Sequence, residues 1–464
     1  MLTKNQNKIF IISIIIWSFI TILGNLNRIP DFDESHAWTI AQQLNLFEIF
    51  NIMHIEGHTF IWYFLLMPFA KADFLYPYSI QFLNWFICLL ALIFFWKKAP
   101  FNFWIKIFLT FSYPFLFLYS VPARCYSLSI LFLFLLAYYF KDRINNPLLY
   151  SVLLVLSANT SAMALIPATV LGLIFIFDIF KSKIDKNLII GSFCILMCGV
   201  ILILIQNFTF DASISNPRIG FNITLLKNVL LFKNLWLNSF ILGILACFMI
   251  RFLYPYKRPL FFLISSYSIF LYGIFTVYTG YAYHHYFLFI YLIMAFWITL
   301  SVFDVKTKFK CFVNIVLISL FLNFILISNF AVSEEQWLYK YILSNKKYSG
   351  STIVMPELEG YLRALLPYSS QRKFKLKDYC SDEPLNYKLV RHNNLKYCSN
   401  YSDKNPFVYI SSERINSLIN GNTYLFLRNT DISIKNFKIN DINFVFEDCI
   451  KNSNYCYWKV ERID

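Results

Sequence analysis

Long apolar runs broken by short basic loops fill the chain as far as residue 331. A helix crossing a bilayer core needs about 20 predominantly apolar residues. Runs of that kind fall near 8–26, 78–96, 101–120, 124–140, 147–162, 163–180, 188–206, 234–252, 260–280, 283–303 and 311–331. The stretch 59–70 holds only about 12 residues with Pro68 among them, too few to cross, and reads as lying along the interface. The basic residues test that reading by parity. With 59–70 uncrossed, Lys97/Lys98, Lys141/Arg143, Lys181/Lys183, Lys257/Arg258 and Lys306/Lys308/Lys310 share one side with Lys4 and Lys8. Short loops rich in Lys and Arg stay cytoplasmic. Were 59–70 to cross, every later cluster would face outward.

The pattern therefore predicts an α-helical polytopic membrane protein with about 11 transmembrane helices. Its first outer loop, 27–77, carries a juxtamembrane helix, and its tail lies outside. Lys4 and Lys8 precede an apolar run at 9–23, and Gly24-Asn25-Leu26-Asn27 offers no small-residue cleavage site, so the first span is expected to stay uncleaved.

The pattern changes after residue 331. Strands are predicted at 351–355, 407–410 and 423–427, helices at 357–366 and 413–419, and a closing hairpin from 444–446 and 456–460. The chain thus divides into a transmembrane domain at 1–331 and a small C-terminal α/β soluble domain at 332–464. The tail carries no phosphate-binding glycine motif and reads as a scaffold or acceptor-docking module.

Composition sharpens this picture. The chain is 58% hydrophobic and 14% charged, with mean hydropathy +0.54, against about 25% charged in soluble proteins. The net charge of +15 is spread over inter-span loops rather than along one stripe, which excludes nucleic acid as a partner. The 52 Phe and 31 Tyr fit AT-rich coding and a lipid environment. Cys88, Cys125, Cys194, Cys198, Cys247 and Cys311 fall in or beside apolar runs and read as packing residues. Cys380, Cys398, Cys449 and Cys456 lie in the tail. The local pairing is 380–398 with 449–456, and pairing would place the tail in an oxidising compartment.

Polar residues of catalytic type gather in the loops that this topology turns outward. The first loop holds Asp33, Glu34, His36, His54, Glu56 and His58. The turn between the third and fourth spans holds Pro122-Ala123-Arg124-Cys125-Tyr126, and Asn159-Thr160-Ser161 fills the next outward turn. Asp211, Asn216, Pro217 and Arg218 follow, then Tyr281, Tyr283, His284 and His285. Carboxylates, Arg and His over an apolar body suit a substrate with a lipid tail and a phosphate head. Each residue also has a plainer role. Arg124 can snorkel at a helix end, His284 and His285 can belong to an aromatic belt, and Asp33 can be the N-cap of an amphipathic segment at 35–50. His54 and His58 are four apart, as helical metal ligands are, but Gly57 disfavours a helix there. Divalent-metal dependence stays open, and no cofactor is assigned.

The order of these motifs resembles the GT-C superfamily of membrane glycosyltransferases. An acidic pair follows the first span. Glu56-Gly57-His58 precedes the apolar stretch Phe60-Ile61-Trp62-Tyr63-Phe64-Leu65-Leu66, and Ala123-Arg124-Cys125-Tyr126 opens a span. The chain is similar over 1–331 to protein O-mannosyltransferases and to the aminoarabinose transferases that act on lipid A, in glycosyltransferase family 39. The resemblance implies a polyprenyl-phosphate-linked sugar as donor. It implies transfer to a glycan, lipid or protein hydroxyl with inversion, on the outer face of a bacterial plasma membrane. It implies a catalytic base at Asp33, with Glu34 beside it; Glu56, in the second acidic cluster of the same loop, is a further catalytic candidate from the residues themselves. It also implies donor-phosphate contacts from His58 and from Arg124 in an Arg-x-Tyr element with Tyr126, and the outward polar loops themselves add His284, His285 and Arg218 to that phosphate-binding set. The family places proline after its basic residue, where this chain has Thr59.

The chemistry asks for the same groups. A carboxylate that takes the acceptor's proton contributes about 10²–10⁴-fold. Fixed cations stabilise the charge that develops on the departing phosphate. Two other classes compete: a transporter or flippase of lipid-linked saccharides, and a polysaccharide polymerase or ligase. Transporters favour repeated halves and Gly/Pro-broken helices meeting at the midplane. This chain has only 12 Gly and no repeating halves. A polymerase or ligase would carry its polar residues in a large late loop.

Overall fold

The structure is a computed structural model. It describes residues 3–56, 59–207, 248–276, 282–326, 334–355, 361–372, 374–380, 412–419, 421–428, 436–439, 441–450 and 455–462. The chain forms two compact units. The first comprises Met1–Gly24, Asn45–Leu65 and Gln81–Ser328; the second comprises Asn25–Leu44, Leu66–Ile80 and Asn329–Asp464. The division departs from the boundary at 331, because two pieces of the 27–77 segment group with the tail.

Helices dominate and follow the apolar runs. They are α1 (Lys4–Leu26), α2 (Phe32–Gln43), α3 (Leu46–Glu56), α4 (Ile61–Lys71), α5 (Tyr78–Lys98), α6 (Phe103–Thr110), α7 (Tyr126–Tyr139), α8 (Pro147–Ala158), α9 (Ala162–Lys181) and α10 (Lys186–Asn207). Further helices occupy Lys257–Thr276, Phe287–Val302 and Thr307–Leu326. Among the described residues, five helices are long and apolar enough to cross a membrane: Lys4–Leu26, Tyr78–Lys98, Ala162–Lys181, Lys186–Gln206 and Tyr283–Val302. Most of the run at 234–252 lies outside the described residues.

Three local departures have clear causes. The run at 101–120 is not one helix. Pro114 has no N–H to donate, so α6 ends at Thr110 and a short π-helical turn, Pro114–Leu118, follows. The segment at 35–50 is two helices, because Asn45 starts a new one: its side chain accepts from Glu48 N at 3.0 Å while Glu48 returns the bond at 2.8 Å. Asp33 is not a cap; that role belongs to Asp31, whose backbone is extended and whose side chain accepts from Glu34 N. In α4, 11 residues span about 16 Å, well short of a ~30 Å hydrocarbon core.

The helix Phe287–Val302 is the centre of the first unit, buried along nearly its whole length. Trp297 packs against Phe94, Phe95 and Phe134 at ring distances of 6.2, 5.6 and 5.7 Å. Helices α8 and α10 approach closely, since a Cβ at Gly199 would overlap Val155. The side chains of α1 and α10 are largely exposed apolar groups, including Ile12, Ile15, Phe19, Ile190, Phe193 and Ile201, as lipid-facing helices require. Asp178, near the end of α9, pairs with Arg143 at 2.5 Å and also with Arg258. Asp178 and Arg143 are both buried.

The second unit contains a 6-stranded sheet in the order β2-β1-β3-β6-β5-β4. Its strands are β1 (Thr352–Met355), β2 (Lys375–Asp378), β3 (Thr423–Arg428), β4 (Phe437–Ile439), β5 (Ile442–Cys449) and β6 (Tyr455–Arg462). Strand β1 pairs in parallel with β2 and β3, and the remaining pairs are antiparallel. The expected hairpin is β5–β6, with Phe444 opposite Val460 and Cys449 disulfide-bonded to Cys456. Cys380 is also disulfide-bonded; Cys398 and the strand expected at 407–410 lie outside the described residues. The helix expected at 357–366 is described over Tyr361–Arg372 and that expected at 413–419 over Ser412–Leu418, with a further helix at Glu334–Ser344 before them. Val354, Leu425, Phe444 and Trp458 are fully buried in the core.

Helix α2 is built into this second unit. Its residues 34–41 are all buried. The Ser35 hydroxyl donates to the Ala364 carbonyl at 3.2 Å and lies 2.8 Å from the Tyr76 hydroxyl. Tyr76 packs on Trp38 and Tyr368, each at 5.0 Å. Burial, with Tyr368 nearby, pushes the Tyr76 phenol well above its ordinary pKa, so it stays a neutral hydroxyl.

Candidate functional site

In the first unit, the turn before α7 meets the turn before Phe287–Val302. The Arg124 guanidinium donates to the Tyr283 hydroxyl at 2.7 Å and sits 4.6 Å from the centre of that ring. The Tyr126 hydroxyl lies 2.7 Å from His284 Nε2. The Tyr126 and Tyr283 rings are 5.1 Å apart, and the Tyr119 hydroxyl donates to the Tyr283 carbonyl at 3.0 Å. Tyr126, His284 and His285 are buried, whereas Arg124 is half-buried. Arg124, Tyr126 and His284, read from the sequence as one phosphate-binding set, thus come together, with His285 next in the chain. The result is a permanent cation, two phenols and an imidazole at the end of an apolar helical unit. In such surroundings a guanidinium attracts an anion far more strongly than it does in water.

Other helix ends of the first unit join this polar layer. The Ser129 hydroxyl lies 2.8 Å from Ser161 Oγ and donates to Thr160 Oγ1 at 2.9 Å. The Thr59 hydroxyl donates to the Asn159 carbonyl. Gln206 donates to Asn159 Oδ1 at 3.0 Å and accepts from Phe60 N at 3.1 Å. These bonds fix the start of α4. Glu56 ends α3, half-buried, with the Tyr63 hydroxyl at 3.5 Å.

Asp33 and Glu34 belong to the second unit and differ sharply. Glu34 is fully buried, accepts from Asp31 N at 2.8 Å and pairs with Arg28. Its carboxylate closes a capping box and balances a cation, which is a structural task. Asp33, on the first turn of α2, is exposed. His36 is buried and stacks on Phe32 at 5.4 Å. His58 and Arg218 lie outside the described residues. Among the described residues, no group of three or more His, Cys, Asp or Glu side chains gathers to hold a metal ion.

Sequence reasoning passed over Asn84, Ser127, Gln206 and the Arg28 partner of Glu34. Asn84 and Gln206 stand as amides within apolar runs, where an uncompensated polar group is costly, but nothing in the runs shows what they bond. Arg28 three residues before the Asp31 cap carried no such mark. Compared with family profiles, with characterised proteins and with solved structures, the chain gives no match.

Proposed function

We propose that this chain is an integral membrane glycosyltransferase. It moves a sugar from a polyprenyl-phosphate donor to a hydroxyl acceptor, a glycolipid, protein or polysaccharide, on the outer face of the plasma membrane. The observation that carries this reading is the pairing of Arg124 with Tyr283 and of Tyr126 with His284 at the end of an apolar helical unit. A lipid phosphate has both parts of that environment as its complement: the prenyl chain matches the helices, and the headgroup matches the guanidinium and its hydrogen-bonding neighbours.

In the reaction, the acceptor oxygen attacks the anomeric carbon and forms the new glycosidic bond. The bond from that carbon to the phosphate oxygen breaks, and the phosphate keeps the electron pair. The acceptor's proton passes to a carboxylate, and the anomeric centre inverts. Asp33 is the base in this reading, since its neighbour Glu34 is occupied by Arg28 and the cap. Arg124, Tyr126, His284 and His285 receive the phosphate, with His58 and Arg218 in the same role and Glu56 as a further carboxylate. Donor charge develops where a fixed cation already stands, which lowers the barrier without reorganisation.

The topology that belongs to this reading has eleven spans, basic loops inside, and the 27–77 segment and the tail outside. The Cys449–Cys456 bond supports an external tail, since disulfides persist in oxidising compartments. Mass spectrometry of surface glycolipids and glycoproteins from cells with the gene, without it, and with Asp33→Asn tests the proposal. One sugar modification should be present in the first and missing from the other two. Identical glycans in all three strains would refute it.

A further inference from the structure

Asn84 lies within α5, fully buried, with its side-chain amide directed at the Arg124 turn. Its Nδ2 donates to the Tyr119 carbonyl and to the Pro122 carbonyl, both at 3.0 Å. Its Oδ1 accepts from the Ser127 hydroxyl at 2.6 Å. These three bonds bracket Arg124 on both sides. The turn needs them for a physical reason. Pro114 ends the regular helix, and residues 119–125 form a non-helical turn before α7. Apolar surroundings penalise a backbone carbonyl that lacks a donor. A side-chain amide is the one neutral group that donates twice and accepts at once.

We propose that Asn84 is a positioning residue that holds the Arg124 turn in register for the donor phosphate. This inference rests on the donor-phosphate reading of Arg124. Asn84 touches no reacting atom; it acts by fixing the backbone from which Arg124 reaches the Tyr283 hydroxyl. Ser127 is its partner, since the Ser127 hydroxyl orients the amide so that both N–H groups face the turn.

The turn carries its own reporter. Cys125 follows Arg124, is not part of a disulfide and is buried. The test uses the full chain in lipid nanodiscs and two readouts: the alkylation rate of Cys125 by a maleimide, read on its peptide by mass spectrometry, and the affinity for a polyprenyl monophosphate, read by native mass spectrometry. Asn84→Leu keeps the side-chain volume close and removes all three bonds. It should speed Cys125 alkylation and weaken polyprenyl-monophosphate binding by about tenfold each, the scale of one or two neutral hydrogen bonds. Ser127→Ala, which leaves both donors in place, should shift both readouts the same way by about threefold, and it serves if Asn84→Leu does not fold. In an Arg124→Ala background, Asn84→Leu should cost no further affinity, because its effect runs through Arg124.

Protection of Cys125 unchanged by both substitutions would overturn the inference. So would a further loss of affinity in the Arg124→Ala background equal to that in wild type. If the wild-type protein binds no polyprenyl monophosphate, the donor reading falls. The alkylation rates then still decide whether Asn84 holds the turn.

Discussion

The Tyr126 hydroxyl and His284 Nε2, 158 residues apart in sequence, stand 2.7 Å from one another in a buried pair. This bond ties the helix that starts at Tyr126 to the turn that opens the central helix Phe287–Val302. Arg124 and Tyr283 make a second tie beside it. Two adjacent ties make the cluster a preorganised feature rather than two side chains at the ends of loops. Removing the phenol hydroxyl by Tyr126→Phe deletes one neutral hydrogen bond, worth about 0.5–1.5 kcal/mol. Polyprenyl-monophosphate affinity should fall about two- to tenfold in native mass spectrometry, with insertion and folding retained.

Two neighbouring carboxylates should behave oppositely. Glu34 is buried and paired with Arg28, so Glu34→Ala removes the carboxylate partner of a mostly buried cation and one half of the α2 capping box. Losing one partner of a buried pair costs about 3–5 kcal/mol, and thermal unfolding should show it as a large drop in Tm. Asp33 is exposed, so Asp33→Asn should leave Tm within a degree or two, on the scale of about 0.5 kcal/mol for surface changes. Sugar transfer should nonetheless fall by at least about 10²-fold. A folded Asp33→Asn protein that turns over like wild type removes Asp33 from the mechanism.

A third carboxylate, Asp178, is distant in role. It is buried between Arg143, also buried, and Arg258, whose side chain is 46% exposed. Asp178→Asn should destabilise the first unit by about 3–5 kcal/mol. Arg258→Ala should cost about 1 kcal/mol or less, because solvent screens that partner. Thermal unfolding in detergent separates the two. Equal effects would mean that Arg258 is as desolvated in the membrane as Arg143.

The tail hairpin offers a stability test that does not depend on the catalytic reading. The Cys449–Cys456 bridge closes a loop of separation 7. On the chain-entropy account, so short a loop contributes about 2–3 kcal/mol. The Cys456→Ser protein should lose that much in denaturant unfolding of the tail, followed by Trp458 fluorescence.

The helical body was readable in the sequence because length and hydrophobicity alone decide where a helix can sit in a bilayer. Helices α1, α5, α9 and α10 lie where the apolar runs lie. The break at Pro114 was written in the chain but hidden by the apolar residues on either side. The cap at Asp31 was written too, as the Asp-x-x-Glu pattern of Asp31 and Glu34, yet the adjacent Asp33 drew the assignment. Strand β2, Lys-Leu-Lys-Asp at an edge of the sheet, shows no alternation strong enough to read. The grouping of α2 with the tail depends on contacts such as Ser35 to Ala364, 329 residues apart, which no local pattern encodes. Within the site, Arg124, Tyr126 and His284 were legible as chemistry. Asn84 was not, because its meaning lies in the carbonyls it meets.

Arg124 carries the positive charge on which the donor reading turns, so its removal is the decisive comparison. Wild-type protein and Arg124→Ala, each in nanodiscs, are titrated with a polyprenyl monophosphate and followed by native mass spectrometry. The wild type should bind one molecule, and Arg124→Ala should bind at least about tenfold more weakly, as expected for a lost charge-assisted hydrogen bond to phosphate. Equal affinity in the two proteins, or no binding by the wild type, would contradict a lipid-phosphate site at Arg124 and with it the proposed transferase.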